Sequence, residues 1–563
     1  MEYPDRARAD GLPLLRVENL SISTSKGSGG AFLVRGVSLI VNPGEIVGIV
    51  GESGSGKSMT CRAIAGLLPT GLKLGGSVCL NGRELTSLTR EEWCSVRGSQ
   101  IGMIFQNPSS HLDPLQRIGR QIATPLRRHE GLSPKLSWGR AVALLRDVGI
   151  RDPEQSSRAY PHQYSGGMKQ RAMIAAAIGP APRLLLADEP TTALDVTVQA
   201  RILDLLRNLN RQHGLGIIFV SHDLGVIAEI CHRVVVMRHG EIVEQGPTQD
   251  VINRPSHPYT KLLINSQPSR RVVASNAWAR DEHKPIIEVR NLTVEFKRAG
   301  ASLLSFGARQ AQTFRALERV SLSVDEGETI GIVGGSGSGK STLARAIVGL
   351  NLPAAGEVLY KGAPVHALKG QDLLTYRRTV QMVFQSPYDS LNPRLTVEET
   401  IAEPLVRHAL VPKTEVGAEV ARLMDSVELP RHFANRRAVQ LSGGQCQRVG
   451  IARALAMSPR ILIADEITSA LDVTTQAQVL DLLQRLKAEQ GLTLIYISHD
   501  LAVVNAICER VMVFNAGHLV ETGPVENVMT SPVSEYTKEL IRAVPALHMQ
   551  RTANLSPSTP TSR

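Results

Sequence analysis

Cysteine is sparse in this 563-residue chain: Cys61, Cys79, Cys94, Cys231, Cys446 and Cys508 are scattered, with no Cys-x-x-Cys pair and no histidine at metal-ligand spacing. That pattern argues against a zinc site or a disulfide framework and predicts reduced, non-ligand thiols. Long apolar runs are missing too. The longest, such as "LLLA" at 184–187 and "GIIFV" at 216–220, are strand-sized, whereas a membrane-spanning helix needs about 20 apolar residues. The opening "MEYPDRARADG" has no apolar h-region, so we expect no signal peptide and a protein made and kept in the cytoplasm. Charge excludes little, because a net +11 suits an anionic membrane or nucleic acid no better than it suits a solvated basic surface.

What is present is globular and written twice. Hydrophobic residues make up 42% and charged residues 20%, enough apolar surface to offset the entropy of ordering most of the chain. The length exceeds one core. "GESGSGKS" (51–58) returns as "GGSGSGKS" (334–341), "IFQNP" as "VFQSP", and "YSGGMKQR" (164–171) as "LSGGQCQR" (441–448). "LADEPTTALD" returns as "IADEITSALD" and "SHDL" as "SHDL", always in the same order. The repeat predicts two copies of one domain, 1–265 and 285–545. A polar, Pro-bounded linker is expected at 266–284, and a Ser/Thr/Pro-rich, disordered tail at 546–563.

Within each copy, apolar runs alternate with helical patterns, as in "EIVGIV" then "KSMTCRAIAGLL". That alternation predicts an α/β core of parallel strands and crossover helices. Between "FQNP" and "YSGG" the composition is helical, with Pro125, Pro134, Pro153 and Pro161, and reads as a helical insertion.

A strand-like run, a glycine-rich loop and Lys-Ser opening a helix form a Walker A phosphate loop. The candidate binding residues are Gly51, Ser53, Gly54, Ser55, Gly56, Lys57, Ser58 and Met59, then Gly334, Ser336, Gly337, Ser338, Gly339, Lys340, Ser341 and Thr342. Glycines let backbone N–H groups curl around phosphate, and the helix N-terminus adds a favourable dipole. The lysines reach terminal phosphates while Ser58 and Ser341 ligate magnesium. In "RLLLADEP" and "RILIADEI" an apolar strand ends in two carboxylates. Asp188 and Asp465 fit the Mg2+-holding Walker B role, and Glu189 and Glu466 fit the residue that orients and deprotonates water. An acidic strand end that merely caps the next helix is the plainer alternative, which the preceding phosphate loop makes weaker. His222 and His499 stand at equal distances past those glutamates and would sense the terminal phosphate. Gln106 and Gln385, in the "FQ" pairs, would contact magnesium or the water.

These residues resemble those of the ATP-binding-cassette (ABC) ATPases, once per half and over almost the whole chain. The resemblance implies two tandem P-loop NTPase domains arranged head to tail, each a RecA-like α/β core with a β subdomain and the helical insertion. It also implies that the Ser-Gly-Gly phrase completes the other half's site. ATP on Lys57 would be closed by Ser442, Gly443, Gly444 and Gln445, and ATP on Lys340 by Ser165, Gly166, Gly167 and Met168. Asp195 and Asp472 would communicate across that interface. Both halves keep every motif, so both sites are expected to hydrolyse ATP.

"ADEPTTALDVTVQARILDLL", "QSPYDSLNPRLTV" and "RPSHPYTKLL" resemble the peptide and nickel uptake group of bacterial transporters. The implied function is the ATPase subunit of an importer for dipeptides, oligopeptides, glutathione or microcin-type peptides, with nickel chelates and opines open as cargo. The implied partners are two transmembrane permeases, whose coupling helices dock near Gln106 and Gln385, and an extracytoplasmic substrate-binding protein. The implied place is the cytoplasmic face of the bacterial inner membrane. A soluble twin cassette acting on ribosomes or DNA is less consistent with the short linker and the absence of zinc-type cysteines.

Several positions depart from that group's pattern. No cysteine cluster follows "HPYT", so no iron–sulfur cluster is expected. "SPVSEYTKEL" is a degraded second copy of the extension, and "DEIT" replaces "DEPT". Met168 stands where glutamine is usual, and Cys446 stands beside the signature, where a thiol could make the ATPase sensitive to alkylation. Phe32, Phe306 and Phe314 are candidates for an adenine-stacking aromatic, with core packing the expected role of each.

Overall fold

The computed structural model describes residues 12–24, 31–191, 194–267, 285–297, 313–386, 388–469 and 471–544. The expected linker beyond Gln267, the expected tail and Phe306 lie outside the described residues. The chain divides into two compact units, one built on Met1–Ser266 and the other on Gln267–Leu471 and Thr475–Val544.

In the first unit, β1 (Leu15–Thr24), β2 (Phe32–Val41), β4 (Leu72–Leu80) and β5 (Arg83–Glu84) form an antiparallel sheet in the order β2-β1-β4-β5. A six-stranded sheet follows the order β10-β9-β3-β8-β7-β6, from β3 (Ile46–Val50), β6 (Ile101–Ile104), β7 (Leu184–Asp188), β8 (Gly216–Val220), β9 (Arg233–Arg238) and β10 (Glu241–Pro247). Its strands are parallel except for the edge strand β10. β3, β7 and β8 are buried at every residue, because helices and the antiparallel sheet cover both faces. Unbroken runs such as "IVGIV" and "GIIFV" are therefore what these strands need. One core, including Leu20, Val37, Ile49, Ile64 and Leu186, fills the space between the sheets. A second, including Ile104, Leu126, Leu144, Ile174 and Phe219, joins the other face to the helical insertion.

The insertion carries helices Ile118–Glu130, Pro134–Asp147 and Pro153–Arg158. Pro134 and Pro153 sit at helix starts, where a missing N–H costs nothing. Pro125 lies inside its helix, and Pro161 opens a short 3-10 turn.

The second unit repeats this plan. β11 (Pro285–Lys297), β12 (Thr313–Asp325), β14 (Ala355–Tyr360) and β15 (Ala363–Pro364) form the sheet β12-β11-β14-β15. β13 (Thr329–Gly334), β16 (Val380–Val383), β17 (Ile461–Asp465), β18 (Thr493–Ile497), β19 (Arg510–Asn515) and β20 (His518–Pro524) form the sheet β16-β17-β18-β13-β19-β20. Its insertion is carried by helices Val397–Arg407 and Val416–Ser426.

Register settles where chemistry can sit. Ile49 pairs with Val220, Val220 with Asp188, and Ile104 with Ala187. The carboxyl ends of β3, β8, β7 and β6 therefore lie side by side, the edge where open α/β sheets place their ligands. In the second unit Ile332 and Asp465 both pair with Ile497, and Val383 with Ala464.

Two expectations about side chains are corrected. Phe32 and Phe314 do not pack in the core: they are 50% and 51% exposed. Each stands at or beside the start of the edge strand of its antiparallel sheet, where one face meets solvent, and the Arg35 guanidinium lies over the Phe32 ring at 5.6 Å. Cys446 is not accessible: its thiol is buried against the carbonyl of Ala438, and burial pushes its pKa to about 11.

Candidate active site

The loop after β3 turns through glycines that nothing else can replace. Gly51 has φ 152° and would drive a Cβ to 2.2 Å from the Met237 carbonyl, and Gly334, at φ 151°, would meet the Phe514 carbonyl at 2.1 Å. Gly54, Gly56, Gly337 and Gly339 also have positive φ. Ser53 and Ser336 are exposed at the tip, while Ser55 and Ser338 are buried. The Ser338 hydroxyl has no hydrogen-bond partner among the described residues.

Lys57 and Lys340 open helices Lys57–Ile64 and Lys340–Val348 and are almost fully buried. The Lys57 ammonium donates to the carbonyls of Gly51 at 2.8 Å and Glu52 at 2.7 Å. Lys340 donates to Gly334 and Gly335, both at 2.9 Å. Burial holds Lys57 below the usual lysine range, against the pull of Glu189 and Asp188.

The acidic pairs divide their work by geometry. Ser58 Oγ donates to Asp188 Oδ1 at 2.8 Å, and Ser341 Oγ to Asp465 Oδ1 at 3.1 Å. Burial raises the pKa of both aspartates, as expected for carboxylates that lack a full counter-charge. The next residues turn away: Glu189 and Glu466 each adopt φ 48°, a left-handed conformation that is costly for a non-glycine residue and concentrated at functional sites. Gln106 Nε2 donates to Glu189 Oε2 at 2.8 Å, and Gln385 Nε2 to Glu466 Oε2 at 2.7 Å. His222 Nδ1 stands 3.5 Å from Glu189 Oε2, and His499 Nδ1 3.4 Å from Glu466 Oε2. Burial disfavours charge on each imidazole, yet the facing glutamate wins and raises both pKa values. Each unit thus brings its predicted Lys, Ser, Asp, Glu, Gln and His together at one sheet edge. The glutamines meet the glutamate rather than the Ser–Asp pair.

The signature residues sit elsewhere. Ser165 and Ser442 are exposed N-caps of helices Gly166–Ile178 and Gly443–Leu455, accepting from the N–H of Met168 and Gln445, both at 3.3 Å. Gln445 returns the favour through Oε1 to the Ser442 N–H at 3.0 Å, a reciprocal box that Met168 cannot form. Among the described residues, neither serine hydroxyl bonds to the phosphate loop or acidic pair of its own unit. Asp195 caps helix Val196–His213 through the Val198 N–H at 2.9 Å, and Asp472 accepts from Thr474 Oγ1 at 2.8 Å.

A nucleotide fits this donor set. The glycine-lined backbone at a helix N-terminus, the buried ammonium and the open space around Gly54 and Gly337 suit phosphates. The Ser–Asp pairs suit magnesium, which takes few protein ligands when phosphate supplies the rest.

The family model described as "ABC transporter" matches residues 34–192 and again 317–469, and "Oligopeptide/dipeptide transporter, C-terminal region" matches 243–291 and 520–562. The glutathione import ATP-binding protein of Escherichia coli K12 is 40% identical over 97% of this chain and 92% of its own length. The peptidoglycan transport ATP-binding protein of Agrobacterium fabrum is 40% identical over 94% and 96%. A solved ATP-binding cassette, MJ0796 bound to ADP and phosphate, is 33% identical, covering 42% of this chain and 98% of its own at a TM-score of 0.38. The chain therefore belongs to the ABC transporter family, as an ATPase with two fused cassettes. Within that family it carries the C-terminal region of the oligopeptide and dipeptide transporters, once behind each cassette.

Proposed function

We propose that this ATPase powers import of peptides or peptide-like solutes, glutathione among the candidates, across the bacterial inner membrane. It works from the cytoplasmic face, with two permeases and an extracytoplasmic substrate-binding protein. The duplicated transporter C-terminal region and the names of the relatives support the cargo class.

Each half supplies a phosphate loop, with Lys57 and Lys340 binding terminal phosphates and Gly51–Met59 and Gly334–Thr342 cradling the rest. Ser58, Asp188 and Gln106, and likewise Ser341, Asp465 and Gln385, would hold Mg2+, which neutralises phosphate charge. Glu189 and Glu466 orient the attacking water and accept its proton, and His222 and His499 fix those carboxylates. Ser442, Gly443, Gly444 and Gln445 complete the Lys57 site, while Ser165, Gly166, Gly167 and Met168 complete the Lys340 site. Asp195 and Asp472 act at the junction.

The observation that carries the crossed pairing is the exposed signature serine, which caps a helix N-terminus and, among the described residues, has no hydrogen bond to its own unit's site. Such a terminus is suited to hold an anion. Photolabelling the full chain with azido-ATP and mapping the peptides tests it. Ser165→Ala should reduce labelling at the Lys340 loop first; a first loss at the Lys57 loop contradicts the pairing.

A further inference from the structure

In each unit the transporter C-terminal region reaches the phosphate loop. Behind the first cassette, helix Pro258–Asn265 buries Tyr259 to 2% exposure. The tyrosine hydroxyl accepts the backbone N–H of Glu52 at 2.9 Å, across 207 residues of sequence. Glu52 is the loop's second residue, and its carbonyl accepts the Lys57 ammonium at 2.7 Å. That N–H shares its peptide unit with the Gly51 carbonyl, which also accepts the Lys57 ammonium, at 2.8 Å. The helix is itself anchored, because Glu244 on β10 accepts the N–H of Ser256 at 2.8 Å and of His257 at 3.1 Å. The Arg238 guanidinium lies over the tyrosine ring at 4.8 Å.

The same device stands in the second unit, in the copy that had read as degraded. Tyr536, on helix Glu535–Arg542, accepts the Gly335 N–H at 2.9 Å, and the Gly335 carbonyl accepts Lys340 at 2.9 Å. Glu521 on β20 accepts the N–H of Val533 at 2.8 Å and of Ser534 at 3.0 Å. Histidine and proline of the first copy have changed in the second, but the glutamate, the tyrosine and the three backbone N–H bonds they accept have not.

We infer that Tyr259 and Tyr536 are positioning residues for nucleotide binding, through which each C-terminal region sets the phosphate-loop backbone that carries the lysine. The inference rests on the ATP-site assignment above. A bond whose partner is a loop N–H acts on the loop's resting shape, so its loss belongs in affinity rather than turnover. Tyrosine to phenylalanine removes the hydroxyl and keeps the ring in its pocket. One neutral hydrogen bond predicts a change of about fivefold.

The test uses the full chain and steady-state ATP hydrolysis, with melting temperature measured alongside. Lys57→Ala/Lys340→Ala serves as reference, since hydrolysis at the wild-type level there sinks the site assignment itself. With that secured, Tyr259→Phe/Tyr536→Phe should raise KM for ATP about fivefold, with kcat within about twofold of wild type. Leu263→Ala, which removes packing from the same helix and keeps the hydroxyl, should lower the melting temperature and leave KM in place. An unchanged KM in the double tyrosine variant overturns the inference. So does an equal rise in KM from Leu263→Ala, because helix stability alone would then be at work.

Discussion

At single positions the two halves, so alike in motif, are not interchangeable. A Cβ on Gly444 would come within 2.3 Å of Thr475 Cγ2, whereas on Gly167 the nearest atom, Leu194 Cδ2, is at an ordinary 3.5 Å. Gly444→Ala should therefore cost far more than Gly167→Ala, by roughly 1–3 kcal/mol of overpacking strain, measured by chemical unfolding. Thr475→Ser, which deletes the offending methyl, should recover most of it; equal costs for the two glycines would contradict the packing. Cys446 yields a second expectation. With its pKa pushed up to about 11 and its sulfur buried, alkylation of the native protein should reach the partly buried Cys94 well before Cys446. Peptide mass mapping reads the order, and early labelling of Cys446 would contradict its burial. The groups that meet at the sheet edge were legible as motifs. The left-handed backbone of Glu189 and Glu466 was not, because no local pattern encodes a conformation that the adjacent strand pairings impose, through the N–H bonds of these residues to Val220 and Ile497.

Among the elements, the parallel strands and crossover helices could be read directly, since a strand buried on both faces must be an unbroken apolar run. The helical insertion was legible from its prolines, two of which open helices. The C-terminal helices are legible in the sequence only as a family phrase, because their contacts with the phosphate loops lie 207 and 201 residues away. The altered "DEIT" also has a structural echo. Gln170 on the first signature helix donates to the Pro190 carbonyl at 2.8 Å, while the corresponding Gln447 has both amide atoms buried without a hydrogen-bond partner among the described residues. The anchoring glutamates make the C-terminal helices acid-sensitive. Burial opposes the charge of Glu244 and Glu521, but the hydrogen bonds they receive win, and both carboxyls lie below their ordinary value. Their contribution is present above about pH 4.5, the ordinary glutamate range, and is lost as pH falls through the lowered folded value. The stability gap between wild type and Glu244→Gln/Glu521→Gln should hold from pH 7 to about 5 and close in more acid solution. A gap independent of pH would contradict the anchoring.

For the whole chain, duplication is the central fact, and it was plain in the sequence because five motifs recur in one order. Each copy builds the same sheet edge and the same set of lysine, serine, carboxylates, glutamine and histidine, with hydrogen bonds that differ between halves by no more than about 0.3 Å at the Ser–Asp pair. Among the described residues no helix is long and apolar enough to cross a membrane. Fractionation of cells with and without the permeases should show membrane association that depends on them; stable association with ribosomes instead would contradict the transport reading. Hydrolysis in both halves requires both sites to be complete. ATP turnover by the purified full chain should fall clearly below wild type in Glu189→Gln and in Glu466→Gln alike, and by at least roughly a hundredfold in the double variant, where both general bases are lost. Turnover at the wild-type level in Glu466→Gln, with activity abolished in Glu189→Gln, would contradict it.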